Sequence, residues 1–164
     1  MDAIFHRTSI RKFTEQAVED SKVKMLLRAA MAAPSAQNQQ PWEMYVVKNR
    51  NTLNELAECS PYAGMLRRAP LGIVMCCRKD CRSPEYAQID CSAATENLLL
   101  EADTLGLGAV WIGIAPREER MAAAKKVLGL PEHLYAFCFI ACGYPAEQKK
   151  QQDRYDETRI HYVP

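Results

Sequence analysis

Apolar positions in this chain fall into a few periodic blocks, and each block predicts an element. Val23, Leu26, Leu27, Ala30 and Met31 recur at the i, i+3, i+4, i+7, i+8 spacing of one buried helical stripe. Ser21 is the expected N-cap of that helix and Pro34 its stop. Before it, Asp2 is placed to cap a short helix reaching His6, after which Arg7 to Phe13 read as irregular or extended. Residues 51–59 show a short amphipathic helix, and a further helical turn is expected over 62–68. The longest helix is expected over 84–105, with Pro84 in its first turn and Gly106 just past its C-cap. Residues 117–128 form the last helix, closed by Gly129 and Pro131.

Between these helices lie short apolar runs of strand length. Residues 43–48 predict one strand, 71–77 a strand that is apolar on both faces, 109–112 a short strand ending at Gly113, and 135–142 a last central strand. Helices and strands alternate, yet no Gly-rich loop follows the first strand, which argues against a doubly wound nucleotide-binding fold. The pattern predicts a layered α+β domain. After Gly143 the composition turns charged and polar, so residues 146–164 have little to bury by themselves and must be disordered or docked elsewhere.

At 164 residues the chain suits one domain with one core, large enough to need neither disulfide nor metal for stability. With 21 basic and 20 acidic residues the net charge is +1, so no general field attracts a nucleic acid or an anionic membrane, and any positive site must be local. No run of apolar residues is long enough to span a bilayer, and no signal peptide is readable; the expectation is a soluble, cytoplasmic protein. The seven cysteines are an odd number, sit mostly in apolar stretches and lack paired C-x-x-C spacing, so they read as reduced packing thiols. Cys76 and Cys77 adjoin in a strand, where their side chains should point to opposite faces and not form a working disulfide.

Three segments carry candidate chemistry. Arg7, Arg11 and Lys12 lie close together with the hydroxyls of Thr8 and Ser9 between them, a donor set that suits a phosphate monoester and would serve equally as a solvated basic surface. The segment Pro34-Ser35-Ala36-Gln37-Asn38-Gln39-Gln40-Pro41 offers both donors and acceptors to a heterocycle edge, or it is a polar turn that ends the preceding helix. Gly113 lets a flat ring approach the backbone, or it simply ends a strand. His6, His133 and His161 share no spacing with a carboxylate pair, so neither a hydrolytic triad nor a metal cluster is legible. That pattern leaves room for a cofactor that performs the electron chemistry while the protein binds and orients it.

Taken together, Arg7-Thr8-Ser9-Ile10-Arg11-Lys12-Phe13, Pro34 through Trp42, Asp90-Cys91-Ser92-Ala93-Ala94-Thr95-Glu96-Asn97-Leu98, Gly106-Leu107-Gly108 with Trp111-Ile112-Gly113, and Gly143-Tyr144-Pro145 resemble, in order and spacing, the nitroreductase family of FMN enzymes. The resemblance spans nearly the whole chain. It implies a three-layer α/β/α fold with a mixed, mostly antiparallel sheet, in an intertwined homodimer with FMN at the subunit interface. The small-residue face of the long helix, traced by Ala93, Ala94, Asn97, Leu98, Glu101 and Leu105, would pack on its two-fold mate, and residues 146–164 would form an arm on the partner subunit. Carried over by the same resemblance, Arg7, Ser9 and Arg11, with Thr8, look like the phosphate and ribityl contacts. Pro34, Ser35, Ala36 and Asn38 are similar to the loop that the other subunit lays against the flavin, Ile112 and Gly113 to the stretch facing its N5 side, and Arg154 to a basic contact from the tail. The family often has a lysine two residues before that arginine, where this chain has Gln152, so Lys149 or Lys150 would have to substitute. The implied activity is ping-pong transfer of hydride from NADH or NADPH to a small acceptor such as a nitroaromatic or a quinone. The alternative is an FMN carrier or regulatory module with little turnover.

Overall fold

Along the strand Leu71–Arg78, Leu71, Ile73, Met75 and Cys77 face one apolar cluster, while Val74 and Cys76 face another. That period of two places a core on each side of a sheet. In the computed structural model, which describes residues 2–151 and 153–164, the strand is β2 of a four-stranded sheet. The others are β1 (Trp42–Val47), β3 (Gly108–Gly113) and β4 (Leu134–Gly143), in the spatial order β1-β2-β4-β3. All three pairings are antiparallel, and the parallel element is a single isolated bridge between Ser9 and Ala109. A bulge opposite Met75 and Cys76 lets Phe137 and Cys138 join the same core, and Phe137 then packs edge-on against Trp111 with ring centroids 5.5 Å apart.

One face of the sheet is covered by α2 (Asp20–Met31) and α4 (Ala87–Thr104), which contribute Val23, Leu26, Ala30, Cys91, Ala94 and Leu98. The other is covered by α3 (Arg50–Glu58) and α5 (Glu118–Leu128), with Leu53, Leu56 and Ala124. The short α1 (Ala3–His6) is capped by the Asp2 side chain, which accepts from the Ile4 amide. The result is the expected α+β, three-layer α/β/α arrangement. Gly106 (φ 72°) and Gly129 (φ 61°) close α4 and α5 in the left-handed region, as their positions predicted.

Four expectations are corrected. Helix α2 begins at Asp20 with Glu19 as N-cap, not with Ser21, and Glu19 makes no cap bond because both its oxygens accept from the Tyr144 hydroxyl at 2.8 Å. Met31, the last position of the proposed stripe, is exposed. The stretch from Pro84 starts as a 3-10 turn, Pro84–Tyr86, before the α-helix, and the turn expected over 62–68 is a 3-10 helix at Gly64–Arg67. The small-residue face of α4 is divided: Ala93, Asn97, Glu101 and Leu105 are half-buried, and the rest turns into the chain itself. Ala94 and Leu98 are fully buried in the chain's own core, and Asn97 donates to the Ala29 carbonyl of α2 at 3.2 Å.

All seven cysteines carry free thiols, and Cys76 and Cys77 belong to the cores on opposite faces. Burial pushes the Cys76 and Cys142 thiols up to about 12. These are inert packing groups, since the thiolate is the reactive form.

Candidate functional site

The segment after α1 is extended because it is hydrogen-bonded as a short edge strand. The Ile10 amide donates to the Ala109 carbonyl at 3.0 Å, Thr14 donates to Tyr144 at 2.9 Å, and Ala146 donates to Lys12 at 2.9 Å. Ile10 and Phe13 are buried, while Arg11 and Lys12 are exposed. Close approach of this segment depends on Gly108, where a Cβ would stand 2.7 Å from Ile10.

The segment forms one wall of a recess of about 280 Å³, to which Arg7, Thr8, Ser9 and Arg11 contribute. Lys149, Lys150, Gln151 and Arg154 form the opposite wall. Thus the tail residue Arg154 lines the same recess as the N-terminal cluster of its own chain. Arg7 is partly engaged by Glu96 at 3.4 Å. Lys149 is tied to the Ser9 carbonyl and to Glu147, each at 3.1 Å, whereas among the described residues Lys150 has no carboxylate within ion-pairing distance. Gln152, where the substitution for the expected lysine was noted, lies outside the described residues. The first part of the proposed arm is therefore bound to its own chain: Gln151 also donates to the Ile4 carbonyl at 2.7 Å.

Arg11 borders a second recess, of about 590 Å³, as well as the first. Val110, Trp111, Ile112 and Gly113 of β3 make its floor, Tyr62 and Met65 its side, and Arg120 its rim. Gly113 is exposed, and nothing lies within 4 Å of where its Cβ would be, so the missing side chain opens space in the recess. A cationic recess that shares Arg11 with a chamber lined by β3, Pro61, Tyr62 and Met65 suits a planar ring carrying a phosphate monoester. The chamber's size is also that of an ordinary small-ligand site.

The amide loop is ordered, but one chain does not bring it to either recess. Pro34, Ser35, Ala36 and Asn38 sit by the N-terminal end of α4 instead. The Ala36 amide donates to Asp90 Oδ1 at 3.0 Å, and Gln39 Nε2 donates to Asp90 Oδ2 at 2.7 Å. The Ser83 amide donates to Gln39 Oε1 at 2.8 Å, and the Gln40 amide donates to Ser35 Oγ at 3.0 Å. This network holds Gln37, Asn38 and Gln40 at positive φ of 51°, 53° and 48°, a conformation that non-glycine residues adopt rarely.

Two residues that organise the site were not singled out from sequence. Asp90 is buried, and its signal was an acid at helical spacing from the buried Ala87 and Ala94. Glu147 accepts from the Arg11 amide at 2.6 Å and the Lys12 amide at 3.1 Å, and no local pattern marks it. The Arg11 amide, followed by Lys149, holds the Glu147 carboxyl below its ordinary pKa. A depressed carboxylate contributes stability that is present above the ordinary pKa and lost as pH falls through the lowered one. The gap in thermal midpoint between wild type and Glu147→Gln should therefore be full near neutrality and close on acidification through the carboxylate range. Differential scanning fluorimetry across that range checks it, and a gap independent of pH refutes the assignment.

The model of the nitroreductase family matches residues 4–60 and 59–144. A protein of Methanothermobacter thermautotrophicus, provisionally named NADH dehydrogenase/NAD(P)H nitroreductase, is 41% identical over 98% of this chain and 85% of its own length. The structure of an FMN-dependent nitroreductase from Clostridium difficile R20291 superposes with a TM-score of 0.93 at 30% identity, covering 99% of this chain and 98% of that one. A provisionally named nitroreductase from Desulfovibrio desulfuricans, solved in complex with FMN, gives a TM-score of 0.85 at 31% identity over 99% and 95% of the two chains.

Proposed function

The chain belongs to the nitroreductase family, and from that premise we propose that it is an FMN-dependent oxidoreductase passing hydride from NADH or NADPH to a small acceptor such as a nitroaromatic or a quinone. The observation that carries this reading is that Arg11 is shared by two recesses, one lined by four cationic side chains besides it and one floored by β3. When bound, FMN supplies the redox chemistry, taking up reducing equivalents from the nicotinamide and releasing them to the acceptor in two alternating half-reactions.

The residues have binding and orienting work. Arg11, Arg154 and Thr8 offer charge-assisted and neutral hydrogen bonds to a phosphate, with Arg7 sharing its guanidinium with Glu96 and Ser9 beside it. Lys150, which among the described residues has no carboxylate within ion-pairing distance, would replace the lysine absent at position 152. Ile112 and Gly113 present backbone to the ring without a side chain in the way. Since the loop with Pro34, Ser35, Ala36 and Asn38 is distant from both recesses in its own chain, it would complete the site of a second copy in a homodimer. In that arrangement the exposed residues 157–164 serve as the arm on the partner, with Tyr162 and Val163 as its apolar contacts. Six buried thiols suit a reducing, cytoplasmic setting, and among the described residues no helix is long and apolar enough to cross a membrane.

The test is an anaerobic stopped-flow record of flavin absorbance after mixing the holoprotein with NADH or NADPH. Rapid bleaching that a nitroaromatic or quinone reverses is expected. A flavin that stays oxidised with both donors would leave only a binding module. Sedimentation of the holoprotein should give a dimer, and a fully loaded monomer would overturn the shared site.

A further inference from the structure

Arg120 lies on the rim of the larger recess, on the first turns of α5, and its position there is fixed from two sides. Its guanidinium sits 5.3 Å from the centroid of the Tyr62 ring, and Nη1 donates to the Gly113 carbonyl at 3.2 Å. A guanidinium has five N–H donors in a planar fork, so these two contacts leave donors unused. Among the described residues, neither Arg120 nor Arg11 has a carboxylate within ion-pairing distance, and no acidic residue lines the recess they share. The chain as a whole has a net charge of only +1. The recess is thus a local positive site with an aromatic wall, in a protein that has no general cationic field. Tyr62 is 69% exposed, which leaves one of the wall's aromatic rings available to a planar ligand.

We infer that Arg120 is a specificity residue that selects acceptors carrying an anionic group, such as a carboxylate, on a planar electron-poor ring. The inference rests on the oxidoreductase reading above and deepens it. With FMN covering the floor at Ile112 and Gly113, the acceptor ring would lie on the open side of the flavin, and its carboxylate would be met by the Arg120 fork at the rim. Arg120 takes no part in electron or proton transfer; it acts through binding and orientation of the acceptor. The bond to the Gly113 carbonyl and the Tyr62 ring restrict the fork before the ligand arrives, so less rotamer freedom is lost on binding.

The experiment uses the FMN-loaded protein and three acceptors of similar shape: 4-nitrobenzoate, 4-nitrobenzyl alcohol and 4-nitrobenzylamine. In wild type, kcat/KM should fall in that order. In Arg120→Gln the ratio of carboxylate to alcohol should drop by about tenfold, the scale of one charge-assisted bond, and the ratio of amine to alcohol should rise. Arg120→Lys should restore part of the preference, because it keeps the charge and loses the fork. Calorimetric titration of the oxidised holoprotein with 4-nitrobenzoate should show the same loss of affinity in Arg120→Gln without turnover. A variant that lowers all three acceptors together has only a structural role, and that outcome overturns the inference. So does an effect confined to the ratio of NADPH to NADH in flavin reduction, which would assign the arginine to the donor's phosphate. If the protein fails to turn over but binds 4-nitrobenzoate through Arg120, the anion site stands and the oxidoreductase reading falls.

Discussion

Arg11→Ala is expected to raise the dissociation constant for FMN by an order of magnitude or more, a loss of at least about 1.4 kcal/mol. Arg11 is the residue common to the cationic recess and the one floored by β3, so its removal affects both ends of the ligand. Its guanidinium has a weak intrachain bond, to the Ser9 carbonyl at 3.4 Å, and its side chain is exposed. The fold should therefore lose little when it is removed, and the thermal midpoint of the apoprotein should stay close to that of wild type. The comparison with Arg7→Ala is informative, because Arg7 already shares its charge with Glu96 and should cost less. Fluorescence titration of the apoproteins with FMN reads both values. Unchanged affinity in Arg11→Ala would remove that residue from the site.

The layers of the fold were legible because each rests on a period that the chain displays. Leu71 to Cys77 are apolar at every position, which marks a strand buried on two faces, and the helices on either side supply stripes for those faces. The basic recess was partly legible, since Arg7, Thr8, Ser9 and Arg11 are neighbours in sequence. Their meeting with Arg154 follows from nonlocal bonds, chiefly Glu147 to the Arg11 and Lys12 amides, which no window of sequence displays. The small residues of α4 were only partly legible for a related reason. Small side chains mark close packing without naming the partner, and here Ala94 and Leu98 meet the sheet of the same chain. Ser21 was a reasonable cap by residue type, yet the helix start is set by tertiary bonds that Glu19 and Asp20 make to Tyr144 and Lys48.

The two glycines of β3 separate fold from site, and substitution of each by alanine should give opposite outcomes. At Gly108 a Cβ would lie 2.7 Å from both Cβ and Cγ2 of Ile10. Neither atom is the far end of a flexible chain, and Ile10 is buried and hydrogen-bonded to Ala109, so the N-terminal segment must move. Gly108→Ala should therefore cost about 1–3 kcal/mol of stability by overpacking, and should weaken FMN binding as well, because Thr8, Ser9 and Arg11 ride on that segment. At Gly113 no atom of the chain lies within 4 Å of the added Cβ. Gly113→Ala should leave the thermal midpoint of the apoprotein almost unchanged while lowering FMN affinity and slowing flavin reduction, since the methyl enters the space reserved for the ring. Thermal unfolding of both apoproteins, paired with FMN titration, decides the matter. If Gly113→Ala binds FMN as well as wild type does, the ring does not lie against this end of β3, and the floor of the site must be sought elsewhere along the recess.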